Sequence, residues 1–318
     1  MSGGFGDPLA IDCRLAGIAQ PVGSFAAHGA TTTAPRAGMP SVLASAAPHH
    51  VTMQPFPHLI DRNALPAGLY GRLHDLFPPE ATILRGRRGV AENTVARLSA
   101  VKVVEDPSIA SEWCEFFALH TSAAFWSEIV RVFGETIRAT FPMLEERLGR
   151  PLGELQVGMR GADDEADVLL DCQFAINTPG MRASSVKTPH VDDRKTVFAG
   201  LYYLREPDDR SEGGDLELYR WARAPRLLRH RMILPGDVVR SRSVPYAANM
   251  LACFVNSRES VHGVSPRSLA SKPRRYINLV AQLRFDAFTT PKVALPSRVV
   301  HCFQMRHVGR RRINGAGY

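Results

Sequence analysis

No apolar run in this chain approaches the roughly 20 residues needed to cross a bilayer. Its start, MSGGFGDPLAIDCRL, lacks the basic segment and apolar core of a secretory signal. The two absences give the expectation of a cytoplasmic protein that makes no membrane contact. Cysteine is scarce: Cys13, Cys114, Cys172, Cys253 and Cys302 are odd in number, widely spaced and never in a CxxC pair. That argues against a disulfide framework and against a structural zinc site. No internal repeat is visible, and no aromatic-basic platform for nucleic acid stands in the middle of the chain. Acidic residues are missing after Asp286, where Lys292, Arg298, Arg306, Arg310, Arg311 and Arg312 follow. Residues 1–53 carry equal numbers of each sign, so most of the formal charge of +8 sits on that tail. A solvated basic terminus is the simplest reading, and nucleic acid is not an expected partner.

What is present is an ordinary globular composition, 45% hydrophobic and 22% charged over 318 residues. Residues 1–53, rich in Ala, Gly, Pro, Thr and Ser, show no apolar periodicity and are expected to be disordered or loosely packed. His49 and His50 lie in that segment and are a poor ligand pair. Order is expected from 54 to 290, followed by the basic tail 291–318. The entry PFPHLIDRNALP contains an extended apolar run, Phe56 to Ile60, before a helix over about 64–77. From 107 to 149 Trp113, Phe116, Phe117, His120, Phe125, Ile129, Phe133 and Ile137 recur at helical steps, with His120 read as a core histidine. The helical part thus spans 54–150. After 155 the period falls to two. Strands are expected at 167–177, 196–204, 215–219, 238–241, 250–256 and 275–284, separated by Gly and Pro turns. The fold class expected is α+β with a mainly β core, 155–290, in which a sandwich or barrel is braced by N-terminal helices.

TPHVDD places His190 and Asp192 two residues apart, so on an extended chain both side chains reach the same side. His262 follows 72 residues after His190, just beyond an apolar strand. Two histidines and one carboxylate on one face of an octahedron leave three positions open, as non-haem iron(II) oxygen chemistry requires. Zinc would accept the same ligands. Asp193 points the other way.

In Arg275–Leu283 one alternating face reads Arg275, Ile277, Leu279, Ala281, Leu283. A guanidinium opening an apolar face needs an anionic partner, from a dicarboxylate cosubstrate or an internal ion pair. Arg274 takes its place if the register is off by one. Tyr203 ends the face Val197, Ala199, Leu201, Tyr203 and could hydrogen-bond the same carboxylate. On 167–177 the apolar face Val168, Leu170, Cys172, Phe174, Ile176 suits packing on the helices. Gln173 and Asn177, on the other face, would then line the site. The loop 181–188 is a candidate lid, with Lys187 available to an acidic group.

These pieces resemble the 2-oxoglutarate/iron(II) oxygenase superfamily, its prolyl-4-hydroxylase-like branch in particular. The matching motifs are His190-Val191-Asp192, Tyr202-Tyr203-Leu204, Gly213-Gly214-Asp215-Leu216, His262-Gly263-Val264-Ser265-Pro266 and Arg275-Tyr276, within 54–286. The resemblance implies a double-stranded β-helix (jelly-roll) core. It implies iron(II) on His190, Asp192 and His262, and 2-oxoglutarate held by Tyr203 and Arg275. It implies O2 as oxidant, succinate and CO2 as coproducts, and ascorbate as a supporting reductant. Asp192 separates the chain from related halogenases, which have Gly or Ala there. A small-molecule hydroxylase is the favoured reading. A protein side-chain hydroxylase and a non-catalytic metal-binding β-barrel are the alternatives. Oligomeric state is not legible in the sequence.

Overall fold

The computed structural model describes residues 38–87, 89–225 and 233–289. The expectations for residues 1–37 and for the basic tail 291–318 lie outside the described residues. Ten strands and six α-helices follow one another in these segments. The first half carries β1 (His58–Asp61), α1 (Ala67–Asp75), α2 (Glu80–Leu84), β2 (Val95–Ser99), α3 (Ala100–Val104), α4 (Ser111–His120), α5 (Ala123–Thr140) and α6 (Leu144–Leu148). The second half carries β3 (Val157–Met159), β4 (Val168–Asn177), β5 (Thr196–Tyr203), β6 (Leu216–Trp221), β7 (Val238–Val244), β8 (Leu251–Val255), β9 (His262–Val264) and β10 (Arg274–Leu283).

The strands form two sheets. The larger runs β1-β8-β5-β10-β4-β2 with every neighbour antiparallel, and β3 adds to β4 in parallel. The smaller runs β7-β6-β9. The alternation of β4 shows why the layers form. Val168, Leu170, Cys172, Phe174 and Ile176 point to the helices and join Trp113, Phe116, Phe117, Ile129 and Phe133 in one core. Phe174 sits 4.8 Å from Trp113 and 4.7 Å from Phe117, ring centroid to centroid. Removing its buried ring would cost roughly 3–5 kcal/mol. The opposite face of the large sheet packs Ala175, Ala199, Tyr203, Phe254 and Tyr276 against Leu216, Leu218, Val244 and Tyr246 around the small sheet. The described residues therefore form a two-sheet sandwich with helices behind the larger sheet.

The helix ends have local causes. The Ser122 side chain accepts from Phe125 N and starts α5, and Gly149 at φ 71° stops α6. The helix expected over 64–77 is α1, shorter by a few residues at each end.

Two expectations need correction. Residues 41–46 are not loosely packed: Val42 and Leu43 are completely buried. Arg131 on α5 donates to the carbonyls of Ala46 (2.6 Å) and Leu43 (3.1 Å), and Val42 N donates to His120 Nε2 at 3.1 Å. Short apolar patches without periodicity can still dock when a helix supplies the donors for their carbonyls. Val197 belongs to the helix-facing core rather than the Tyr203 face. A register shift opposite Ala281 and Gln282 inserts a residue there and flips it.

Candidate metal centre and carboxylate pocket

His190 lies just before β5, and His262 opens β9. Their main chains pair directly, His190 N to His262 O and His262 N to His190 O, both 2.9 Å. The 72-residue gap in sequence thus closes to adjacent rings, 4.3 Å between centroids. Asp192 completes the cluster: Oδ1 is 3.6 Å from His190 Nε2 and Oδ2 is 3.5 Å from His262 Nε2. All three ligand atoms lie within 4.8 Å of one another. Donors about 2.1 Å from one ion, on adjacent octahedral positions, stand roughly 3 Å apart. The triad therefore fits a divalent metal with only small adjustment.

Tautomer and charge agree with that fit. His190 Nδ1 donates to Thr188 O (2.8 Å) and His262 Nδ1 to Ser260 O (2.9 Å). A carbonyl accepts only, so each Nε2 keeps its lone pair and faces Asp192. His190 Nε2 is buried without a hydrogen-bond partner, the mark of a group awaiting a ligand. Burial lowers the pKa of His190 and takes that of His262 down to about 3, helped by the neighbouring imidazole. Both rings are neutral at neutral pH. Burial opposes the charge on Asp192, but His262, Lys187 and His190 outweigh it and hold the carboxyl well below its usual range.

The centre opens into a cleft of about 260 Å³ between the sheets. Registered rows of the large sheet build its floor. One row is Arg97–Ala175–Tyr276–Tyr203, the next is Ser99–Gln173–Asn278–Leu201, and Val95–Asn177–Arg274 lies on the other side. Gln173 donates to Asp171 (2.7 Å) and accepts from Asn278 (2.9 Å). The polar face of β4 therefore does look into the sandwich, as the sequence suggests.

Arg275 does not. It points to the other side, pairs with Glu206 at 2.7 Å and lies over the Phe77 ring. The buried cleft guanidinium is Arg274, 2% exposed. Pairing fixes this: Arg275 sits opposite Ile176, whose face packs on the helices, and Arg274 sits opposite Asn177. The apolar face of β10 is the helix-facing face, so an arginine opening it leaves the site. Arg274 lies within 5 Å of the ring centroids of Tyr203, Tyr246 and Tyr276. It donates to Gly214 O (2.8 Å) and Asn177 Oδ1 (3.3 Å). Its own Nη2 is buried without a hydrogen-bond partner, and so are Asn177 Nδ2 and Tyr203 Oη beside it. Burial raises the Tyr203 pKa, so its hydroxyl is a donor at neutral pH. Unsatisfied donors on and beside a buried guanidinium could hold a carboxylate.

Sequence reasoning missed Arg274 as first choice, and it missed Tyr246, which accepts from Arg275 N at 2.9 Å and walls the pocket. Lys187 lines the cleft, 3.4 Å from Asp192 Oδ1. Segment 181–188 is tied down at Ser184, which exchanges main-chain hydrogen bonds with Arg267.

No protein-family model matches this chain, and no curated protein matches it. Among solved structures it is similar to a Pseudomonas putida prolyl 4-hydroxylase, with 17% identity over 72% of this chain and 93% of that one and a TM-score of 0.41. A prolyl hydroxylase from Trichoplax adhaerens, solved with a hypoxia-inducible-factor peptide fragment, gives 16%, 71%, 83% and 0.38. A non-heme alpha-ketoglutarate-dependent carbocyclase of nogalamycin biosynthesis gives 12%, 88%, 98% and 0.42. Likeness at this level does not decide the reaction; the donor set and the carboxylate pocket carry that question.

Proposed function

We propose that the chain is an iron(II)- and 2-oxoglutarate-dependent oxygenase whose two sheets form a double-stranded β-helix. In this reading it hydroxylates an unactivated C–H bond of a small molecule and releases succinate and CO2. The observation that carries it is the pairing of two features: a His190–Asp192–His262 triad with an open side, and in the same cleft the buried guanidinium of Arg274, whose Nη2 and whose neighbours Asn177 Nδ2 and Tyr203 Oη have no hydrogen-bond partner. A metal-binding site alone would need no such pocket.

Bound iron and 2-oxoglutarate would supply the oxidising power for O2 activation. The chain's own residues do the rest. His190, Asp192 and His262 would hold the ion through neutral imidazoles and a charged carboxylate. Arg274, with Tyr203 and Asn177, would take the distal carboxylate of the cosubstrate and fix its direction. Arg275, expected in that role, is replaced by its neighbour. Gln173 and Asn278 brace the floor against Asp171. Ala199, Leu201, Leu216, Phe254 and Val264 line the cleft and exclude water around the reacting atoms.

A cleft of about 260 Å³ falls just under the roughly 300–1,000 Å³ usual for drug-sized ligands, which favours a small substrate. A protein side chain entering the same cleft is the second reading. The test is succinate release with iron(II), ascorbate and O2 across a panel of metabolites and peptides. Release stimulated by a metabolite supports the first reading, and stimulation by peptides alone supports the second. His190→Ala and Asp192→Ala should abolish release. An iron-binding protein that never turns over 2-oxoglutarate would be a non-catalytic barrel.

A further inference from the structure

Arg97, Arg160, Lys187 and Arg274 line the cleft, and of these Arg97 has neither a part in the proposed reaction nor a carboxylate partner among the described residues, whereas Arg160 pairs with Asp171 and Lys187 with Asp192. Arg97 stands in the middle of β2, at the edge of the large sheet, and its neighbours alternate cleanly. Ala96 and Leu98 are buried in the helix-facing core. Arg97 is therefore on the cleft face, opposite Ala175, and lines the cleft. Its side chain is exposed, and it makes no hydrogen bond or ion pair with any described residue.

The other guanidiniums lining this cleft are engaged. Arg160 binds Asp171 and donates to Gln282 Oε1 at 3.2 Å. Arg274 holds Gly214 and Asn177 and is enclosed by three tyrosine rings. Arg97 shares its row with Ala175, whose methyl leaves room above the floor between Arg97 and Tyr276. Adjacent strands lie about 4.8 Å apart, so Arg97 stands roughly 10 Å across the sheet from the strand of Arg274. A second anion can sit there without displacing the first.

We propose that Arg97 recognises an oxyanion, a carboxylate or a phosphate, on the substrate. This rests on the oxygenase reading and narrows it: the substrate is an anionic small molecule, oriented by a planar fork at the cleft edge with its reacting carbon toward His190, Asp192 and His262. A guanidinium pairs with such a group through two parallel hydrogen bonds, which fixes direction as well as affinity.

The test uses full-length protein loaded with metal and saturating 2-oxoglutarate under oxygen-free conditions. Ligand-observed NMR measures binding of matched probes: benzoate with benzamide, N-acetylglycine with N-acetylglycinamide, and inorganic phosphate. Wild type should prefer acid over amide by on the order of 10- to 100-fold, the usual worth of a hydrogen-bonded ion pair. Arg97→Met should remove that preference, and Arg97→Lys should restore part of it. Binding by phosphate but not by the acids would assign the phosphate form. Wild type that neither prefers the acids over their amides nor binds phosphate, or Arg97→Met that keeps the wild-type anion binding, would overturn the proposal and leave Arg97 as a charge guarding a sheet edge. Failure of the oxygenase reading shows separately, as absence of succinate release from wild type once oxygen is admitted.

Discussion

At the scale of single residues, Arg274 and Arg275 show how one position divides the cleft face of β10 from its helix-facing side. Arg274 is enclosed by Tyr203, Tyr246 and Tyr276 and is flanked by unsatisfied donors. Arg274→Met should raise the 2-oxoglutarate dissociation constant by on the order of 10- to 100-fold. Arg275→Met should leave that constant within about twofold, because its partners are Glu206 and the Phe77 ring. Isothermal titration of both metal-loaded variants separates the two roles. Equal losses would refute the assignment of the pocket to Arg274.

At the scale of elements, the turn before β6 supports the pocket. Gly214 O accepts from Arg274 Nε, so the place of the turn sets the place of the guanidinium. Gly213 has φ +74°, and a Cβ there would stand 2.0 Å from Pro266 O. Gly213→Ala should cost a few kcal/mol through strain and overlap, and should weaken 2-oxoglutarate binding as well. Thermal denaturation and titration would read the two effects; an unchanged melting temperature would contradict the close approach.

The same elements show what the sequence made legible. His190 and Asp192 could be placed together because period two fixes which side chains share a side, and His262 because it follows an apolar strand. Six strands were readable from alternation, and the helices from the aromatic stripe. β2, β3 and β9 were not. The last two have three residues each, too few for a period to show, and β2 is interrupted by Arg97 and followed at once by α3. The Arg274/Arg275 choice failed because both faces of β10 carry an arginine near the start. Only the pairing with β4 says which face meets the helices. Arg97 gave no signal, since an isolated arginine acquires meaning only from the cleft it borders.

At the scale of the whole molecule, His120 links the N-terminal segment to the helices. It is 1% exposed, donates from Nδ1 to Phe116 O (2.7 Å), stacks on Phe116 and accepts from Val42 N at Nε2. Burial takes its pKa down to about 4 from the usual 6.5. The folded state therefore binds fewer protons than the unfolded chain between those values, and stability falls as pH drops from about 6.5 toward 4. The loss from this group is about 3 kcal/mol at most. His120→Gln should flatten the dependence of melting temperature on pH across that window, measured with the metal removed so that the triad histidines contribute equally to both proteins. A slope identical to wild type would show that His120 is not the titrating link.

The two triad histidines are tethered by main-chain bonds on both sides. Their backbones pair with each other, and each ring is steered by the carbonyl two residues earlier. The scaffold thus orients the imidazoles before any ion arrives. A chelator should strip the centre without collapsing it, and cobalt or manganese could be exchanged in afterwards as reporters, with no refolding step between.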